Sequence, residues 1–365
     1  MLSKELVATF FNLVRLGIGN DPVGYAGFVP DVDWNAIETL AAQHGLSAII
    51  VDGVERLPEG QRPPKPVLLQ WIGETLQGYE YRYEQYRKAI AGLASFYNKH
   101  GFRMMLLKGY ACSLDWPRPN HRPCGDIDIW QFGQQIDADA ALAARFKKFK
   151  GFKIDRSHHH HTVFDWHDFM VENHYDFINV HHHKSNAVFE RILKELASDD
   201  SNSIDVCGAK VYLPSANLHA LFLLKHTMMH FAAEGITLRQ LLDWAFFVKA
   251  HVDEVDWNWL EGVLEQYGMR KLYDIFNAIC VVDLGFDASL FHTVQFDPVL
   301  KDKVLNEILM PEFGEHLPNN VFKRIIYKYR RWQGNAWKHE LCYKDSMASA
   351  LWSGIVGHLM KPGSI

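Results

Sequence analysis

Cysteine is scarce in this 365-residue sequence: its five cysteines are far apart and form no Cys-x-x-Cys pair. That distribution argues against a disulfide framework and against a four-cysteine zinc site, and it favours reduced thiols. No apolar run approaches the roughly 18 residues that a membrane-spanning helix needs. The first residues, MLSKELVATFFNLVRLG, mix charges into an apolar pattern, which predicts an amphipathic helix rather than a signal peptide. We therefore expect a cytoplasmic protein that does not cross a membrane.

An excess of positive charge is also missing. The 38 Lys and Arg are outnumbered by 43 Asp and Glu, which gives a formal net charge of −5. This balance argues against a general nucleic-acid binder and favours a small molecule or a protein as partner. The hydrophobic content of 48% is that of a folded protein, and the length exceeds what one hydrophobic core usually holds.

Helical periodicity covers both ends of the chain, whereas the middle has the short apolar or alternating runs of β-strands. Apolar residues recurring at three- and four-residue steps predict helices over 34–44, 66–98, 215–233, 238–250, 257–266, 270–284, 322–332 and 348–359. Between them, short apolar or alternating runs predict strands over 102–107, 126–130, 153–166 and 169–177, with a helix over 137–150. The expected fold is α+β, with a small mixed β-sheet core (101–213) between an N-terminal helical region (1–100) and a C-terminal helical domain (214–365).

The pair Asp126 and Asp128 is the most informative motif. On a strand, residues i and i+2 point to the same face, while Ile127 and Ile129 point to the other. Two neighbouring carboxylates repel each other unless a cation lies between them, and oxygen ligands of this kind suit Mg²⁺. The ordinary alternative is a polar strand face that contacts only solvent.

The surrounding residues add to the metal interpretation. Upstream, the first predicted strand ends at Lys108-Gly109, where a glycine permits a phosphate to approach the backbone and a lysine offers its charge. Arg122 lies in the loop that leads to the two acids. A third carboxylate is expected for phosphoryl-type transfer. Glu172 supplies it on a later strand, with Asp176 as the alternative.

Together these elements resemble the nucleotidyltransferase superfamily related to DNA polymerase β. The segments that carry the resemblance are LLKG at 106–109, R-x-x-G-D-I-D-I at 122–129 and V-E-x-H at 171–174. More narrowly, the sequence is similar to a bacterial family of uncharacterised nucleotidyltransferases, whose C-terminal helical part resembles residues 218–244.

The resemblance implies a reaction and a set of site residues. An NMP would pass from an NTP to an acceptor hydroxyl with release of pyrophosphate, using Mg²⁺ or Mn²⁺ as cofactor. Asp126, Asp128 and Glu172 would be the catalytic metal ligands. The residues expected to contact the nucleotide are Lys108, Gly109, Arg122, Gly125 and His174.

One departure from the superfamily separates two functional hypotheses. The superfamily has Gly-Ser or Gly-Gly at the turn, whereas this chain has Gly109-Tyr110, so Lys108 must compensate for the missing hydroxyl. The alternative to an active enzyme is therefore a catalytically inactive nucleotide- or protein-binding module of the same fold.

Histidine is abundant. Nine of the 20 histidines fall between His158 and His183, including the runs 158–161 and 181–183. Placed on a strand, His158 and His160 would share one face and could bind Zn²⁺ or Ni²⁺, as in a histidine-based metallohydrolase. The competing interpretation is that these residues form a polar strand surface beside the site. His174, at i+2 from Glu172, is expected on the catalytic face, as a substrate contact or as a packing residue.

A second histidine pair lies on a predicted helix. His226 and His230 have the i, i+4 spacing of HExxH zinc enzymes, but the glutamate base of that motif is absent. Arg239 and Asp243 have the same spacing and are expected to form an ion pair. The sharper hypothesis places His226, His230 and Arg239 along the substrate cleft.

Overall fold

A computed structural model describes residues 2–20, 32–181, 183–199, 202–313 and 320–360. In it, helices flank a six-stranded mixed sheet, so the expected α+β fold is confirmed. Within the described residues, no helix is both long enough and apolar enough to cross a membrane.

The sheet has the strand order β3-β4-β2-β1-β6-β5. Its strands are β1 (Met105–Leu106), β2 (Ile127–Trp130), β3 (His161–Trp166), β4 (Phe169–His174), β5 (Ser203–Val206) and β6 (Ala209–Tyr212). Strands β2 and β4 pair in parallel, as do β1 and β6, whereas the β1–β2, β3–β4 and β5–β6 pairs are antiparallel. The candidate acids therefore lie at the centre of the sheet.

Five helices precede the sheet and one short helix follows β1. They are α1 (Lys4–Ile18), α2 (Trp34–His44), α3 (Ser47–Glu55), α4 (Lys65–Thr75), α5 (Arg82–Lys99) and α6 (Tyr110–Ser113). A π-helical segment at Leu76–Tyr81 joins α4 to α5, so the long helix predicted over 66–98 is continuous but locally widened.

Ten further helices lie within or after the sheet. They are α7 (Gln135–Phe146), α8 (Lys184–Leu196), α9 (Ala216–Ala233), α10 (Leu238–His251), α11 (Trp257–Gln266), α12 (Arg270–Ala278), α13 (Pro298–Leu309), α14 (Val321–Gly334), α15 (Ala336–Cys342) and α16 (Met347–Met360). The predicted helices over 34–44 and 257–266 have the bounds of α2 and α11.

Two hydrophobic clusters lie on the sheet. The smaller contains Ile127, Ile129 and Val171 with side chains of α5 and α7. The larger contains side chains of α1 to α3, of α9 to α13 and of sheet residues such as Met105 and Trp130. The helices that precede and follow the sheet therefore share a core. The division of the chain into three units stays a prediction.

Only the last residue of the first histidine run, His161, lies on a strand, so the prediction that placed the whole run on one was wrong. The strand expected over 153–166 begins only at His161, and residues 158–160 form a bend. The carbonyl of His160 accepts backbone N–H bonds from Tyr175 and Asp176, beyond the end of β4. The regular pairing of β3 with β4 ends at His161 and His174, so His158 and His160 do not share a strand face. In the second run, His183 precedes α8 and His182 lies outside the described residues.

Candidate active site

Asp128 and Glu172 are partners in the parallel pairing of β2 with β4. Directly paired residues of neighbouring strands point to the same face, with strands about 4.8 Å apart. Ile127 and Ile129, on the opposite face, are fully buried in the sheet core. The alternation that the sequence predicts for this strand therefore places one carboxylate from each strand on a common face.

The Asp128 carboxylate is nearly enclosed, with a side chain that is 1% exposed. One oxygen, Oδ1, lies 2.8 Å from Lys108 Nζ and accepts a 3.1 Å bond from His174 Nε2. Burial opposes ionisation, but Lys108 and His174 outweigh it and hold the pKa of Asp128 below its usual range. The other oxygen, Oδ2, is buried without a hydrogen-bond partner among the described residues. A buried carboxylate oxygen in this condition has an open ligand position.

Lys108 follows β1 and lies between the sheet and α9. Burial opposes its charge, but Asp128, Asp126 and Glu172 together raise its pKa. Its ammonium also donates to His226 Nε2 at 3.3 Å. Burial, and next the Lys108 charge, lower the pKa of His226 well below the usual range, so its imidazole is neutral and can accept this bond.

His174 bridges the two carboxylates. Its Nε2 lies 3.1 Å from Asp128 and 3.5 Å from Glu172 Oε2, and its Nδ1 lies 3.2 Å from the Asp176 carbonyl. Burial lowers the pKa of His174, but the bonds to Asp128 and Glu172 outweigh it and raise the pKa to about 9. His174 is therefore an imidazolium at neutral pH, and in return it helps to lower the pKa of Glu172 against the opposing effect of burial.

Asp126 adjoins this group without belonging to it. It immediately precedes β2, and its pKa is raised chiefly by the nearby Asp128 charge and next by burial. The backbone carbonyl of Asp126 accepts a 2.6 Å bond from the Tyr86 hydroxyl. The repulsion between Asp126 and Asp128 is the electrostatic condition that a bound cation would relieve.

Gly109 has a structural reason to be glycine. Its φ is +55°, and a Cβ at this position would lie 2.5 Å from the Tyr86 hydroxyl oxygen. The helix that follows, α6, is one turn long. The space beside Gly109 is thus occupied by the Tyr86 hydroxyl. A contact between Gly109 and a phosphate stays a prediction.

Arg122 pairs with Asp243, and its expected contact with the nucleotide stays a prediction. Its guanidinium makes two bonds to Asp243, at 2.7 and 2.9 Å, and a third at 3.2 Å to the Pro123 carbonyl. The ion pair predicted between Arg239 and Asp243 is therefore wrong, because Arg122 occupies both carboxylate oxygens. Arg239 Nε is buried without a hydrogen-bond partner within the part of the chain described. Gly125 is exposed, and nothing lies within 4 Å of where its Cβ would be.

The helical histidine pair divides between two environments. His226 contacts Lys108, whereas His230 Nδ1 lies 3.5 Å from Glu234 one turn further along the chain. Nothing in the spacing of this pair or in the neighbouring residues indicates that His226 contacts Lys108 and His230 does not. On the sheet, His161 Nε2 lies 3.8 Å from Glu172 Oε1, a contact that the sequence did not indicate.

The structure thus brings four of the predicted residues into contact: Lys108, Asp128, Glu172 and His174. Ligand atoms of Asp128, Glu172 and His174 lie within 4.8 Å of one another, and Asp126 is not part of this set among the described residues. Two carboxylates, one with an unpartnered oxygen, suit a divalent cation such as Mg²⁺ or Mn²⁺. The residues present therefore fit a divalent metal ion.

A protein family and a solved structure are similar to this chain. A family described as "uncharacterised nucleotidyltransferase" matches residues 30–282, which include every candidate site residue. No curated protein is significantly similar to the chain. The crystal structure of an antigenic nucleotidyltransferase-like protein from Paracoccidioides brasiliensis is similar at 14% identity with a TM-score of 0.33. That similarity covers 57% of this chain and 96% of that one.

Proposed function

Since the chain belongs to the family of uncharacterised nucleotidyltransferases, we propose that it transfers an NMP from an NTP to an acceptor hydroxyl. The acceptor oxygen forms a bond to the α-phosphorus, and the bond from that phosphorus to the β-phosphate oxygen breaks, releasing pyrophosphate. The acceptor proton passes to a carboxylate of the site or to solvent.

The observation that carries this proposal is the pairing of Asp128 with Glu172 on adjacent parallel strands. It places two carboxylates on one face, and Asp128 Oδ2 has no partner within the described residues. A solvent-exposed polar strand face would not explain this arrangement, because Asp128 is only 2% exposed. Burying an acid so completely costs stability unless something compensates its charge.

Asp128 and Glu172 are the proposed holders of Mg²⁺ or Mn²⁺, with Asp126 as the third acid. The chemistry that such an ion would supply is neutralisation of charge on the phosphates and acidification of the attacking hydroxyl. Lys108 provides a fixed ammonium for the triphosphate, because Asp128 and His226 hold it in place. Glu172 is ionised and can accept a proton. His174 is already protonated, so it orients both carboxylates and does not act as the base.

The acceptor is proposed to be a small molecule or a protein side chain. The net charge of −5 gives the chain no overall attraction for a polyanion such as DNA or RNA.

A second candidate function is a nucleotide-binding module without turnover. The contact that favours it is the 2.8 Å ion pair between Lys108 and Asp128, which balances the buried carboxylate with a charge from the chain itself. In an inactive module this pair would persist with NTP bound, and no pyrophosphate would form.

The test compares NTP binding with turnover. Calorimetry with ATP and Mg²⁺ measures binding, and release of pyrophosphate together with label transfer from α-labelled NTPs measures turnover. The double variant Asp126→Asn with Asp128→Asn should lose transfer, whereas Asp165→Asn, which changes an exposed carboxylate on β3, should keep it. Unchanged turnover in the double variant would refute the assignment. Binding without turnover in the unmodified protein would establish the inactive module.

A further inference from the structure

Three imidazoles from two separate segments meet beside Glu172. His160 lies in the bend before β3, His161 begins β3, and His174 ends β4. One ligand nitrogen from each of the three lies within 4.8 Å of the others. His161 and His174 are 6% and 2% exposed, so the group is built into the sheet edge and is not a surface run.

Two of these rings have unused nitrogens. His160 Nδ1 and His161 Nδ1 are buried and have no hydrogen-bond partner in the described part of the chain. Buried polar atoms almost always have a partner in a folded protein, or else a water or ion that supplies one. The reaction proposed above uses neither nitrogen.

We propose that His160, His161 and His174 form a binding site for a nitrogen-preferring divalent metal ion of the Zn²⁺ class. Imidazole nitrogens bind Zn²⁺ at about 2.0–2.1 Å, whereas Mg²⁺ prefers oxygen ligands. A site with three histidines leaves the fourth tetrahedral position for water or for a carboxylate. A carboxylate lies beside the group, since Glu172 Oε1 is 3.8 Å from His161 Nε2.

To bind a metal ion, His174 must exchange a present hydrogen bond for a bond to the metal. His174 donates to Asp128 and lies near the Asp176 carbonyl, so it must give up one of these contacts and a proton to ligate the ion. Three nitrogens bound to one tetrahedral ion at about 2.0–2.1 Å lie about 3.3 Å apart, so any pair that is further apart in the structure must draw closer. The backbone of His160 is held by the bonds that its carbonyl accepts from Tyr175 and Asp176, so the approach must come from rotation of the side chains.

A linear chelator is the competing explanation for metal binding by this chain, since four histidines are consecutive from His158 to His161. The two explanations differ on His174, which lies on another strand and belongs only to the folded site. They also differ on His159, whose ring lies against His181 and is not part of the three-residue group.

The experiment uses the full chain without a polyhistidine tag and titrates it with ZnCl₂ against a chromophoric chelator, with no nucleotide present. The expected result is one Zn²⁺ per chain, unaffected by millimolar Mg²⁺. His174→Gln or His161→Gln should weaken binding by about 100-fold or more, since loss of outer-shell partners alone costs 10–100-fold. His159→Gln should leave the affinity within about threefold of the unmodified protein, a small change on the same scale.

Two outcomes overturn the proposal: no stoichiometric binding, or binding that survives His174→Gln but is lost in His159→Gln. Circular dichroism and thermal unfolding verify that each variant folds. If His161→Gln or His174→Gln unfolds, comparing His160→Gln with His159→Gln gives the same test, because only the linear chelator needs His159. The Co²⁺-loaded protein adds a visible absorption band that His160→Gln should abolish. Because no NTP is present, failure of nucleotidyl transfer does not affect this result.

Discussion

Arg122 and Asp243 form a two-point ion pair across 121 residues of sequence, with N···O distances of 2.7 and 2.9 Å. Arg122 lies four residues before the first acid of the site, and Asp243 lies on α10. Trp116 Nε1 donates to the same carboxylate at 2.8 Å. This pair fastens the loop that leads into β2 to the helices that follow the sheet.

Asp243→Asn should therefore destabilise the fold. Removing one partner of a buried ion pair leaves an uncompensated charge and costs about 3–5 kcal/mol. Urea unfolding measures the change in the free energy of unfolding. The matched control is Glu84→Gln, which breaks the exposed Arg87–Glu84 pair and should cost less than about 1 kcal/mol. Equal effects of the two substitutions would contradict the structural role given to Asp243.

Gly109→Ala should destabilise the protein, and Tyr86→Phe should partly rescue it. The added Cβ would lie 2.5 Å from the Tyr86 hydroxyl oxygen but 3.7 Å from the ring carbon that bears it. Gly109→Ala is expected to cost about 2–4 kcal/mol from the clash and the positive φ together. Tyr86→Phe alone loses the bond to the Asp126 carbonyl, and relative to that variant the added alanine should cost only the positive φ, about 1–2 kcal/mol. Thermal or urea unfolding of the four proteins in this cycle measures the coupling, and purely additive costs would exclude the contact.

Lys108→Gln should weaken NTP binding. The substitution removes the ammonium that Asp128 and His226 hold beside the site. A hydrogen bond to a charged group contributes about 1.5–3 kcal/mol, so the Kd for MgATP should rise about 10- to 150-fold. Lys88→Gln, at an exposed position on α5, is the control and should bind as the unmodified protein does. Calorimetry decides, and an unchanged Kd in Lys108→Gln would remove Lys108 from the nucleotide site.

His44 should make the fold sensitive to acid. Burial lowers its pKa from 6.5 to about 4, and its Nδ1 accepts the backbone N–H of Leu238 at 3.3 Å. Between pH 6.5 and about 4 the unfolded chain binds a proton at His44 that the folded chain does not. The contribution of His44 is thus complete above pH 6.5 and declines as the pH falls, by about 3 kcal/mol in all.

The measurement for His44 is the free energy of unfolding of the unmodified protein and of His44→Asn at several pH values. Asparagine keeps a hydrogen-bond acceptor near the position of Nδ1 but does not titrate in this range. The difference between the two proteins should change between pH 6.5 and 4 and be constant above pH 7. A difference that does not depend on pH would show that His44 is protonated equally in both states.

Local patterns predicted part of the structure correctly. The alternation in residues 126–129 predicted that Ile127 and Ile129 are buried on the face opposite Asp128, as they are. The bounds of α2 and α11 followed from the three- and four-residue spacing of apolar side chains. These features depend on neighbours in sequence, which is why sequence alone reveals them.

The features that sequence analysis missed depend on distant partners or unusual turns. The hairpin of β5 and β6 turns at Cys207 and Gly208, both with positive φ, and Cys-Gly is not one of the pairs that usually mark such a turn. Asp243 pairs with Arg122 and not with Arg239 because tertiary packing places the Arg122 loop beside it. An i, i+4 spacing indicates proximity on one helix, but it carries no information about a competing guanidinium from a loop.

The helices that precede the sheet and those that follow it share one hydrophobic core. This shared core determines how much of the chain must be kept for the candidate site to fold. A fragment ending at Pro214 would contain all the acids of the site. It would lack α9, whose His226 holds Lys108, and α10, whose Asp243 holds Arg122. It would also expose the apolar side chains of α1 to α3 that pack in a common cluster with α9 to α13. The sheet that carries the candidate site is therefore not a self-contained unit, and transferring that site to another protein requires the helices of both ends.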